Sequence, residues 1–87
     1  MDTAIIIKRR PIYSRPQWAL IIYGTFGYSV CVVDRSTPVV EGQELYRHKS
    51  LRGVWLISGS SDVFPANIQG NMTLNEAEEA IEAITGL

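Results

Sequence analysis

The chain has 87 residues and a mass of 9.7 kDa, room for one small domain spanning 1–87, which excludes a multi-domain reading. With 46% hydrophobic and 20% charged residues and a mean hydropathy of +0.05, it is too apolar to stay disordered and too charged to sit in a bilayer. The formal net charge of -1 hides a segregation: all eight Lys and Arg stand in 1–61 for a balance of +4, while 62–87 carries five carboxylates and no basic residue, a balance of -5.

One cysteine cannot form an internal disulfide, so a reducing, cytoplasmic setting is expected. The apolar runs Trp18–Tyr23 and Val30–Val33 fall far short of the roughly 20 residues that cross a bilayer, so no membrane partner is expected. At the N-terminus the apolar run precedes the basic residues, the reverse of a signal peptide, and export is not expected.

In chain order, the isoleucine-rich Thr3–Arg9 predicts a first strand, broken by the stretch from Pro11 to Pro16. Gln17–Tyr23 and Tyr28–Asp34 predict two strands joined at Gly24-Thr25-Phe26-Gly27, whose glycines suit a tight reversal. Arg35–Arg52 is polar and reads as a long excursion, with room for a short strand at Val39-Val40 and one helical turn over Gln43–His48. Gly53–Ser58 predicts a further strand, followed by the turn Gly59-Ser60-Ser61 and a loop through Pro65 and Gly70. Thr73-Leu74-Asn75-Glu76 matches a capping box and opens a C-terminal helix that Gly86 closes. On that helix Leu74, Ala77, Ala80, Ile81 and Ile84 share one side, opposite Asn75, Glu78, Glu79 and Glu82. The expected fold is therefore α+β: a small antiparallel β-meander of about four strands with one C-terminal amphipathic α-helix packed on one face.

The central hairpin predicts the pairs Tyr23 with Tyr28, Ile21 with Val30 and Ala19 with Val32 on one face. The other face receives Trp18, Leu20, Ile22, Ser29, Cys31 and Val33, which is nearly as apolar. One helix covers one face, so the second needs a cover of its own: the two long loops folded back, a second copy in a homodimer, or a different protein. If that face is open, Trp18, Leu20 and Ile22 are the expected partner contacts, with Glu78, Glu79 and Glu82 as a polar recognition row.

Two basic clusters carry the competing reading. Lys8, Arg9, Arg10 and Arg15, then Arg47, Lys49 and Arg52 beside His48, are interleaved with Tyr13, Trp18, Tyr46 and Trp55, the mix of cations and aromatics that single-stranded nucleic-acid binders use. No RNP-type motif, GXXG loop or zinc-knuckle spacing accompanies them.

Catalytic and metal chemistry have little to work with, since the chain holds one His and one Cys. Cys31 lies between valines in a strand, and Gly59-Ser60-Ser61-Asp62 lacks the ending of a phosphate loop. No enzyme activity, cofactor, metal or small-molecule substrate is expected. The reading is a small accessory protein, an adaptor or inhibitor that binds another protein or itself, with nucleic-acid binding as the alternative.

Overall fold

The computed structural model of the chain describes residues 3–25, 27–47, 54–57, 63–65 and 72–86. The strands are β1 (Thr3–Ile12), β2 (Gln17–Gly24), β3 (Gly27–Asp34), β4 (Glu44–Arg47), β5 (Val54–Ile57) and β6 (Val63–Pro65), and they are followed by the helix α1 (Leu74–Thr85). The strands form one sheet in the order β3-β2-β1-β4-β5-β6, every neighbouring pair antiparallel. The fold is α+β as expected, with five strands of four residues or more and a three-residue sixth in place of about four.

Two expectations fail around the crossover. The sheet is two three-strand meanders joined by residues 35–43, which carry the chain from the outer edge at β3 to the far side of β1. Within the range Gln43–His48, where a helical turn is expected, Glu44–Arg47 forms strand β4, because Leu45 alternates inward and the segment pairs with both β1 and β5. Val39-Val40 is not a strand, and Val39 instead plugs the core, fully buried.

β1 also runs past its expected end at Arg9, through Pro11 to Ile12. Its backbone accounting shows how. Ile6 bonds to Gly42 and Gln43 of the crossover; beyond a bulge at Ile7, the Arg9 N–H donates to the Glu41 carboxylate at 3.0 Å. Two residues on, the position facing the same open side is Pro11, which has no N–H to satisfy. A carboxylate and a proline thus complete the edge where β4 no longer reaches.

The hairpin register is the expected one, Ala19 opposite Val32, Ile21 opposite Val30 and Tyr23 opposite Tyr28. On the outer face, α1 packs Ala77 and Ile81 over Ile12, Ala19 and Ile21. The capping box is present: Thr73 Oγ1 accepts from the Glu76 N–H at 3.2 Å, and Glu76 Oε1 accepts from the Thr73 N–H at 2.9 Å. Gly86 ends the helix at φ 79°, the left-handed region that suits glycine. Just before α1, Met72 exchanges two backbone bonds with Tyr28, which ties the helix start to the β3 edge.

The inner face is closed by the sheet itself. Leu20, Ile22, Cys31 and Val33 from one meander share a core with Leu45, Trp55 and Ile57 from the other, with Ala4, Ile6 and Val39 between them. Chain length demands this curl. In a flat sheet, Met72 outside β3 would lie six strand spacings from β6, about 29 Å. The seven Cα steps from Pro65 to Met72 reach at most about 27 Å. The apolar second face that needed a cover has one within the chain.

Candidate functional site

Curling the sheet removes one expected interface. Leu20 and Ile22 are fully buried, so the condition under which Trp18, Leu20 and Ile22 would meet a partner is not fulfilled. Trp18 is half-buried at the margin of that core, and its Nε1 donates to the Arg35 carbonyl at 3.1 Å.

The uncovered apolar surface is instead on the outer face, at the end of the sheet away from the β1–β2 turn. One row crosses the sheet there, from Glu44 through Ile5 and Tyr23 to Tyr28 and Met72. Ile5 is 40% exposed and Tyr23 47%, while the bulge leaves Ile7 39% exposed. The rings of Tyr23 and Tyr28 stack at a tilt, 4.6 Å between centroids. α1 starts beside Tyr28 and runs diagonally toward β1, where Glu78 meets Lys8 at 3.3 Å. It therefore leaves the corner around Ile5 and Tyr23 open, a shallow depression of about 260 Å³ bordered by Glu44. Leu74, on the predicted apolar side of the helix, is 40% exposed, because the helix begins at the sheet margin.

Of the acidic row, Glu78 is engaged with Lys8, while Glu79 and Glu82 are exposed on α1. With Lys8, Arg10 and Ile81, the side chains of Glu78 and Glu82 border a groove of about 360 Å³ between α1 and β1. Its charges are mixed.

Arg47, the described member of the second basic cluster, does not join the first. β4 runs antiparallel to β1 with Thr3 opposite Tyr46, so Arg47 lies at the opposite end of the ten-residue β1 from Arg9, Arg10 and Arg15, a separation of about 20–30 Å along the strand. The Arg47 guanidinium lies 4.9 Å from the ring of Trp55, which is itself buried in the core and offers no stacking face. Lys49, Arg52 and His48 lie outside the described residues, as does the turn at Gly59-Ser60-Ser61-Asp62.

Within the first cluster the cations hold the fold. Lys8 pairs with Glu78 and Arg10 with Glu41 at 3.0 Å. Arg9 donates to the buried Val39 carbonyl at 2.6 Å and lies 4.2 Å from the Trp18 ring centroid. Glu41 is held below the usual carboxylate range, first by the Arg9 backbone N–H it accepts, then by Arg10. Only Arg15 has a side chain without a partner among the described residues, at the exposed β1–β2 turn beside Tyr13.

Cys31 is buried, and desolvation pushes its thiol up to about 12, which leaves it protonated at neutral pH. Among the described residues, no three His, Cys, Asp or Glu side chains group closely enough to hold a metal ion. No helix among them is long and apolar enough to cross a membrane.

Sequence reasoning passed over Ile5, Ile7 and Arg35. The two isoleucines lie in a strand noted only as isoleucine-rich, and the part of the outer face they reach is one the diagonal helix does not cover. Arg35 stands alone between Asp34 and Ser36, and the crossover brings it to the first basic cluster. The chain matches no family model, no curated protein and no solved structure.

Proposed function

We propose that this chain is a non-enzymatic protein-interaction domain of adaptor or inhibitor type, and that it docks another protein on the outer corner formed by Ile5, Ile7 and Tyr23. The observation that carries the reading is the pair at the centre of the cross-sheet row: Ile5 and Tyr23, 40% and 47% exposed, lie side by side where α1 stops covering the sheet, with Ile7, 39% exposed, two residues along β1. Tyrosine at the centre of such a patch is the residue type that anchors interfaces, since it buries a wide ring and keeps a polar tip. Glu44 on its border favours a partner whose apolar anchor has a basic neighbour.

The test is retention of a partner from an extract of the source cells by the immobilised chain. Tyr23→Asp and Ile5→Asp should abolish retention with the fold intact by thermal melting, while Tyr13→Asp, at the other end of the sheet, should leave it unchanged. Retention that survives both corner substitutions overturns the reading. Because the contact is apolar at its centre, binding should change little between ~0.05 and ~0.2 M salt, unlike a phosphate-dominated contact.

A further inference from the structure

We propose that the β1–β2 hairpin end of the sheet is a second binding site, for single-stranded nucleic acid, in which Arg15 and Arg35 take phosphates and Tyr13 stacks on a base. This site is independent of the docking corner, which lies at the other end of β1.

The first observation is convergence. The Arg35 N–H donates to the Pro16 carbonyl at 2.8 Å, which brings the start of the crossover onto the hairpin turn. The Arg35 guanidinium donates through Nη2 to the Ile12 carbonyl at 2.9 Å and reaches the Gln17 carbonyl at 3.5 Å. An arginine isolated in sequence is thus fixed beside Tyr13 and Arg15 by the backbone on both flanks of the turn. Fixing the fork in advance reduces the side-chain entropy lost when it binds an anion.

The second is unneutralised charge. The guanidinium carbons of Arg9 and Arg35 lie 4.2 and 5.2 Å from the same Trp18 ring centroid. They are therefore less than about 10 Å apart, within the screening length at ~0.1 M salt. Both donate to carbonyl oxygens, which leave the positive charge in place. Among the described residues this end gathers Arg9, Arg10, Arg15 and Arg35 against Asp34, Glu41 and, across the groove from Arg10, Glu82, and the one ion pair among these is Arg10 with Glu41. Glu41 also feels the Arg9 charge, so the excess sits toward Arg35 and Arg15. Each guanidinium has five N–H donors, and one or two carbonyls do not exhaust them.

The third is the exposed aromatic. Tyr13 is 77% exposed at the tip, directly after the residue whose carbonyl holds Arg35. An acidic polypeptide would use the arginines and ignore that ring, whereas a single strand offers phosphates and unstacked bases together.

The experiment is fluorescence anisotropy of a labelled oligothymidylate 12-mer at ~50 mM salt with the full chain. Binding should weaken with salt at a log–log slope of about -1.4, the value for roughly two phosphate contacts on a single strand. Arg15→Glu should weaken it at least ~10-fold, and Tyr13→Ala by about 5- to 150-fold, the range for losing one base–aromatic stack. Both side chains are exposed on the turn, so the variants keep the fold even where Arg35→Gln disturbs it. Three results overturn the proposal: no binding at ~50 mM salt, equal binding by both variants, or equally tight binding of polyglutamate, which would make the site one for acidic protein.

Discussion

Arg9 belongs to a basic cluster by sequence and to the internal framework by structure, and Arg9→Met separates the two. The substitution keeps the aliphatic stem and removes the guanidinium, which has two contacts to lose. The bond to the Val39 carbonyl is short, 2.6 Å, charge-assisted and made to a fully buried residue. Hydrogen bonds to charged groups contribute about 1.5–3 kcal/mol, and an acceptor left buried without a partner lies at the upper end. The face of Trp18, 4.2 Å away, adds about 0.5–1 kcal/mol at a partly exposed site. Together the loss is about 2–4 kcal/mol, a large part of the roughly 4–13 kcal/mol available to a domain of this length. At about 4–8 °C per kcal/mol, the melting midpoint should fall by ~8–32 °C. Far-UV circular dichroism during thermal and urea unfolding measures it. A double-mutant cycle with Trp18→Leu should return a coupling of about 0.5–1 kcal/mol. A loss below ~0.5 kcal/mol, or strict additivity with Trp18→Leu, would show that Arg9 is only a solvated surface charge and refute the reasoning.

Three further outcomes are expected. Thr73→Ala should cost about 1 kcal/mol in urea unfolding, and adding Glu76→Ala should cost less than the two singles combined, because the side chains form one reciprocal cap. Ser29→Ala should raise stability by about 1 kcal/mol, since Ser29 Oγ is fully buried with no hydrogen-bond partner among the described residues. Cys31 should resist alkylation at pH 8 until the chain unfolds. Its thiol is raised from 9.0 to about 12 in the fold, so the unfolded chain loses that proton first and stability should fall as pH rises through that interval. Cys31→Ala should flatten the alkaline limb of a stability–pH profile.

Local patterns were legible wherever short-range chemistry decides. The cap at Thr73, the stop at Gly86 and the glycine-flanked turn after Tyr23 each follow from a few neighbouring residues, and the hairpin register follows from its turn. β4 was not legible, because a four-residue strand in a polar stretch owes its conformation to pairing with β1 and β5 rather than to its own propensity. Pro11 misled for a related reason. Proline forbids a strand only where its N–H is needed, and among the described residues the side of β1 it faces has no strand beside it.

Surface character divides along the same line. The acidic row on α1 could be read from helical periodicity, and Glu79 and Glu82 are exposed on it. Where Trp18, Leu20 and Ile22 end up could not, because alternation assigns residues to a face without saying what the face meets. Sequence proximity grouped Lys8, Arg9, Arg10 and Arg15, while the register carried Arg47 to the far end and the crossover brought Arg35 in.

The amino-acid sequence by itself thus determined the fold class, the central hairpin, the helix and its caps, and the two-sided apolar character of the sheet. These depend on backbone sterics and hydrogen bonds spanning a few residues, and on side-chain alternation that any sheet must obey. Tertiary structure alone decided that the sheet curls onto its own second face, that Ile5 and Tyr23 remain outside the helix footprint, and that Arg35 joins Arg15 and Tyr13. Those outcomes depend on strand order and on one bulge, contacts between residues up to tens of positions apart, and no local pattern encodes the curvature that brings them together.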